Sequence, residues 1–144
     1  MTGPIMIVED SPSIRLLLET SMRYEGHQTV AFPDGIAALQ WLASPEGKTP
    51  ALILLDLMLP RMDGITFLQR LKDKPAFAAV PAIVITTRDT SIDRVKARLA
   101  GASEYIVKPF TVQRLAALVR QYLDDPTLIL PTVALDQDRQ QGHE

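Results

Sequence analysis

The chain predicts a doubly wound α/β domain, (βα)₅, and three observations carry that prediction. Apolar runs of strand length alternate along the chain with segments of helical period. Strands separated by helices of this length imply a parallel sheet with right-handed crossovers. The third run, Ala51-Leu52-Ile53-Leu54-Leu55, is continuously apolar, as expected of a central strand covered on both faces. The sheet order that suits these elements is 2-1-3-4-5.

The first strand is expected at about 4–9, where Pro4-Ile5-Met6-Ile7-Val8 runs into Glu9-Asp10. Ser11 followed by Pro12 reads as an N-cap and a first helical residue. Ile14, Leu17, Leu18 and Met22 make the stripe of that helix, and Gly26 ends it. The second strand fits 27–32. Asp34 then caps a helix carrying Ile36, Leu39 and Leu42, with Trp41 at its margin. The third strand is 51–56 and ends in Asp56. Pro60 and Asp63-Gly64 form a loop before a helix carrying Ile65, Leu68 and Leu71.

Ala82-Ile83-Val84-Ile85 ends in Thr86 and gives the fourth strand, 82–86. Thr90 caps the next helix, with Asp93 at its third position as in a capping box. That helix carries Val95 and Leu99 and stops at Gly101. The fifth strand lies at about 103–107 and runs into Lys108-Pro109. Thr111 opens a last helix with Leu115, Leu118, Val119 and Tyr122 on one face. No internal repeat is visible. The tail, 124–144, holds two prolines and Leu128-Ile129-Leu130, and reads as a linker or docking segment after a domain at 1–123.

With 144 residues, 47% of them hydrophobic and 22% charged, one globular domain with a real core is expected, not disorder. No apolar run approaches the roughly 18 residues of a membrane span. Met1-Thr2-Gly3-Pro4 carries no basic region before an apolar stretch, so no signal peptide is expected. The absence of cysteine excludes disulfides, thiolate zinc sites and thiol catalysis, and fits a cytoplasmic protein. Net charge is −2. The tail, with five acids against Arg139, holds about −4 of it and leaves about +2 elsewhere. Neither value suits a basic nucleic-acid-binding surface, so no direct nucleic acid contact is expected.

Parallel strands put every one of these polar endings on one edge. In the order 2-1-3-4-5 the winding reverses between strands 1 and 3, and a crevice opens outside their carboxyl ends. Glu9, Asp10 and Asp56 meet there. Three carboxylates that close repel one another, and a hard cation such as Mg²⁺ relieves it. A carboxylate is also a nucleophile toward phosphorus. The transferred group then needs an ammonium and a hydroxyl to neutralise it, and Lys108 and Thr86 are placed to supply them.

Glu9-Asp10, the run from Asp56-Leu57-Met58-Leu59-Pro60 to Arg61-Met62-Asp63-Gly64, Thr86-Thr87 and Lys108-Pro109-Phe110 together resemble the signature set of the response regulator receiver domain of two-component signalling. The resemblance covers about residues 4–123. It implies a flavodoxin-like three-layer sandwich and a phosphorylation-activated switch, not a metabolic enzyme. It implies that Asp56 accepts a phosphoryl group from a histidine kinase or histidine phosphotransfer protein. It further implies Mg²⁺ held by Glu9, Asp10, Asp56 and the Met58 backbone carbonyl. Thr86 and Lys108 would bind the phosphoryl oxygens, and Tyr105 would swing inward as Thr86 moves toward the phosphate. Pro109 would follow a cis peptide bond. Partner binding would change through the fourth helix, fifth strand and fifth helix, with a phosphorylation-dependent homodimer among the options.

Two positions depart from the commonest pattern: Glu9, where Asp is usual, and Thr87, where many members have a smaller residue. Met58, Thr87 and Arg88 would flank access to the phosphate, and a bulky, cationic pair of Met58 and Arg88 would slow the attacking water. Three other readings stay open. A phosphatase or phosphotransferase would want a second acid two residues after its nucleophile, where Met58 stands. A nucleotide binder would want a glycine-rich loop after strand 1, where Asp10-Ser11-Pro12 stands. A degenerate receiver would bind partners without phosphate. Arg94, Lys96 and Arg98 make the fourth helix basic, either as a solvated surface or as an output face. His27 and His143 are isolated. Both a stand-alone receiver and part of a longer protein fit the sequence.

Overall fold

The computed structural model describes residues 3–124. The tail after Asp124, with Leu128-Ile129-Leu130 and His143, lies outside the described residues. The elements alternate throughout: β1 (Ile5–Val8), α1 (Pro12–Tyr24), β2 (Thr29–Phe32), α2 (Gly35–Ala43), β3 (Leu52–Leu55), α3 (Gly64–Lys72), β4 (Ala82–Thr86), α4 (Ser91–Ala100), β5 (Glu104–Val107) and α5 (Val112–Asp124). A short 3₁₀ turn, Pro75–Phe77, follows α3. The five strands are parallel, in the order β2-β1-β3-β4-β5. This is the flavodoxin-like (βα)₅ fold.

Alternation along the strands splits the core into two layers. Met6, Val8, Ile53, Leu55, Ala82 and Val84 pack with Phe67, Leu68, Leu71 and Ala97 on one face. Ile5, Ile7, Leu52, Leu54, Ile83 and Ile85 pack with Leu18, Met22, Leu115 and Val119 on the other. β3 is therefore buried on both sides, which its uninterrupted apolar run requires. Trp41 lies at the margin of the first layer, its ring 5.7 Å from that of Phe32.

The caps expected at Ser11, Asp34, Thr90 and Thr111 form, and Asp63, read in the sequence as a loop residue, caps α3 as well. The Ser11, Asp34, Asp63, Thr90 and Thr111 side chains accept from the backbone N–H groups of Ile14, Ala37, Thr66, Asp93 and Arg114. Gly101 closes α4 at φ +115°, a left-handed conformation that glycine adopts freely.

Two stripes run differently from the simplest periodic reading. On α4 the buried residues are Ala97 and Ala100, while Val95 and Leu99 face outward with Ile92. Small side chains let α4 settle close to Leu68 and Leu71 of α3, so the larger ones occupy the opposite face. On α1, Leu18 and Met22 are buried but Leu17 is partly exposed.

Candidate active site at the carboxyl edge

Strand register brings the acids together. Val8 pairs with Leu55, and the Asp56 N–H donates to the Val8 carbonyl at 3.1 Å. The Glu9 N–H donates to the Phe32 carbonyl at 3.0 Å on the other side of β1. Glu9 and Asp56 thus leave neighbouring strands side by side, where the winding reverses. Thr86 ends β4 beside β3, and the Lys108 N–H donates to the Thr86 carbonyl at 2.8 Å. The Lys108–Pro109 peptide is cis.

The side chains converge as the backbone does. Lys108 Nζ lies 2.9 Å from Glu9 Oε1 and 2.9 Å from Asp56 Oδ2. Glu9 and Asp56 are 1% and 6% exposed, whereas Asp10 faces solvent. Oxygens of all three carboxylates lie within 4.8 Å of one another. Burial pushes the Glu9 carboxyl above its ordinary pKa, and the charge of Asp56 adds to that; hydrogen bonds from Lys108 and the Ser11 N–H pull the other way. Burial would also depress the Lys108 pKa, but hydrogen bonds to Asp56 and Glu9, with their charges, outweigh it and leave the ammonium raised. One ammonium therefore compensates an excess of negative charge. Three hard oxygen donors with one open, solvated flank suit a divalent cation of the Mg²⁺ type.

The loop after β3 folds back onto Asp56. The Met58 N–H donates to Asp56 Oδ1 at 3.0 Å, and the Gly64 N–H to the Leu57 carbonyl at 2.8 Å. A Cβ at Gly64 would stand 2.6 Å from Leu57 Cα, so only glycine permits that return. Arg61, at φ +68°, reaches across to pair with the buried carboxylate of Asp34. Opposite, the Thr87 hydroxyl lies 3.1 Å from the Met58 sulfur. The Arg88 guanidinium is 3.8 Å from Asp93.

Behind Thr86, the Tyr105 ring is turned inward and its hydroxyl donates to the Arg88 carbonyl at 2.9 Å. The Arg88 N–H in turn lies 3.4 Å from Thr86 Oγ1. Burial is the main cause of the Tyr105 pKa, pushed up to about 12.

Residues 5–120 match the family model of the response regulator receiver domain. The chain belongs to that family. PilG of Pseudomonas aeruginosa is 30% identical over 83% of this chain and 86% of its own length. The PhoP regulator of alkaline phosphatase synthesis from Bacillus subtilis is 30% identical, but the chain spans only 57% of it. Among solved structures, the receiver domain of a signal transduction histidine kinase from Syntrophus aciditrophicus is similar at TM-score 0.77 and 33% identity, covering 85% of this chain and 90% of that one. The receiver domain of a sensor histidine kinase from Pseudomonas aeruginosa, with a magnesium ion coordinated in its active-site cleft, is similar at TM-score 0.74 and 27% identity, covering 87% of this chain and all of that one.

In this receiver, Glu9, Asp10, Asp56 and Lys108 form one cluster; the Met58 N–H bonds Asp56, and Thr86 joins through its carbonyl, which accepts from the Lys108 N–H, while its hydroxyl faces the Arg88 N–H. Met58 and Thr87 touch across the mouth, while the Arg88 side chain is directed to α4. Two arginines near the site were not singled out in the sequence. Arg15 donates to the Glu9 carbonyl at 2.8 Å, and Arg61 ties the β3–α3 loop to α2. Arg15 sits at the first turn of a helix that begins beside Glu9, which was the available signal. Among the described residues, no helix is long and apolar enough to cross a membrane.

Proposed function

We propose that this receiver is a phosphorylation-activated switch, with Asp56 as the phosphoacceptor. The observation that carries the reading is the buried Asp56 carboxylate held 2.9 Å from Lys108 and within reach of two more acids. An Asp56 oxygen attacks the phosphorus of a phosphohistidine on a histidine kinase or phosphotransfer protein. A P–O bond forms as the P–N bond breaks, and the released imidazole nitrogen takes up a proton from solvent. The product is an acyl phosphate. Lys108 shifts from carboxylate to phosphoryl oxygen, and the Thr86 hydroxyl donates to a second oxygen. Mg²⁺, held by Glu9, Asp10, Asp56 and the Met58 carbonyl, would neutralise the remaining phosphoryl charge.

Thr86 leaves its contact with the Arg88 N–H to reach the phosphate. The β4–α4 loop follows, and Tyr105 with it. That couples the site to the surface of α4, β5 and α5, where a partner or a second copy reads the change. The charge distribution gives no reason to expect direct nucleic acid binding, and the chemistry suits the cytoplasm.

Intact mass after incubation with Mg²⁺ and acetyl phosphate tests the reading. A Mg²⁺-dependent phosphoryl adduct is expected on the wild type and not on Asp56→Asn. Absence of the adduct on folded, metal-loaded protein would point to a receiver that binds partners without phosphate.

A further inference from the structure

Tyr105 is held from both ends. Its hydroxyl is bonded to the Arg88 carbonyl, and the Arg94 guanidinium lies over its ring, 4.8 Å from the centroid. Arg94 does not hang free there. Its Nε and Nη2 both donate to Asp89 Oδ1, at 3.2 and 2.6 Å. Its backbone N–H donates to the carbonyl of Thr90, whose side chain caps α4. A second pair, Arg88 with Asp93, crosses the first. The loop 87–90 is thus laced to the first turn of α4 on one side and to Tyr105 on the other.

We infer that Arg94 is a positioning residue that holds Tyr105 in its pocket before any phosphoryl group arrives. This deepens the switch reading above and rests on it. The planar guanidinium covers the ring face while Asp89 fixes its plane, a task that suits Arg and not Lys. Because a clamped Tyr105 already holds the Arg88 carbonyl, the phosphoryl group has only the 3.4 Å contact between the Arg88 N–H and Thr86 Oγ1 left to break. Arg94 therefore sets the resting balance of the switch, and the phosphoryl group completes a closure already favoured.

The test labels the tyrosine ring carbons with ¹³C and follows them by NMR from pH 8 to 11. The chain has three tyrosines, and Tyr105→Phe identifies the signal. In the wild type Tyr105 is expected not to titrate over this range. In Arg94→Ala the lost cation by itself would raise the Tyr105 pKa further, so a signal that instead titrates below pH 11 reports a ring released from its pocket; that is the expected result, with Arg94→Lys between the two. Asp89→Asn frees Arg94 without touching the ring; its lost charge alone lowers the Tyr105 pKa, so this variant is read by the ring chemical shift at pH 8, which is expected to move toward that of Arg94→Ala. The rate of Asp56 phosphorylation by acetyl phosphate should fall in Arg94→Ala by roughly two- to fivefold, the population shift one lost cation–π contact produces. Were Tyr105 in Arg94→Ala to keep its wild-type signal and titration while the adduct still formed, the clamp would be overturned and the switch would stand. Were no adduct to form on the wild type, the switch reading would fall and the coupling with it.

Discussion

The Thr87 hydroxyl meets the Met58 sulfur at 3.1 Å, joining the loops after β4 and β3 across the mouth above Asp56. In the proposed switch, water approaching an acyl phosphate on Asp56 is expected to meet this contact. Replacing Met58 and Thr87 together with alanine is expected to shorten the phosphorylated lifetime about threefold or more, equivalent to roughly 0.6 kcal/mol in the barrier. Loss of the phosphoryl mass over time measures it, and an unchanged lifetime would refute the role of this pair.

Lys108→Met removes the ammonium that balances Glu9 and Asp56. Stability is expected to fall by about 2–3 kcal/mol near neutral pH, less than for a sealed pair because Asp10 opens the site to water. The folded pKa of Lys108 is raised, so its contribution is full below the ordinary lysine pKa and is lost as pH rises through the folded value. Urea titrations at pH 7 and in strong alkali should show the gap between variant and wild type shrinking. Mg²⁺ no longer competes with an ammonium for the same oxygens, so calorimetry is expected to show tighter metal binding beside slower phosphorylation.

Asp34 is held below its ordinary pKa, first by the Ala37 N–H and then by Arg61, against an opposing effect of burial. A depressed carboxyl stabilises above its unfolded pKa, and that stability disappears as pH falls through the folded value. Asp34→Asn keeps an acceptor for the cap but loses the charge. A cost of about 1 kcal/mol is expected at pH 7, modest because Arg61 is mostly exposed. Denaturation at pH 3 or below should find variant and wild type close together; an equal gap at both pH values would contradict the assignment.

Gly64→Ala forces a Cβ against the backbone of Leu57. The loop must open, carrying the Met58 N–H away from Asp56. A loss of about 3 kcal/mol and a weaker Mg²⁺ interaction are expected together. Retention of both by the variant would mean the loop has slack that its close return to β3 does not suggest.

The sheet was legible because buried parallel strands are written as apolar runs, and Glu9, Asp56, Thr86 and Lys108 are each the next residue after such a run. Caps were legible for the same local reason. Less visible was which face of α4 turns inward. Periodicity alone favours Val95 and Leu99, but close packing against α3 favours Ala97 and Ala100. The partners of Arg61 and Arg94 were also hidden. A long side chain can reach many carboxylates, and only the fold selects Asp34 for one and Asp89, with the Tyr105 ring, for the other.

The hydrogen bond from the Asp56 amide to the Val8 carbonyl ties Asp56, the proposed phosphoacceptor, to the middle of the sheet. Central strands exchange their amide hydrogens last, through global opening, whereas loops open on their own at little cost. Asp56 therefore shares the fate of the whole fold, while Met58 and Thr87 can part many times without disturbing it. How often the cleft admits a donor or a water, and how long the cleft exists at all, are separate properties of this molecule. Surface changes in the two loops can tune the tempo of the signal and leave the lifetime of the protein untouched.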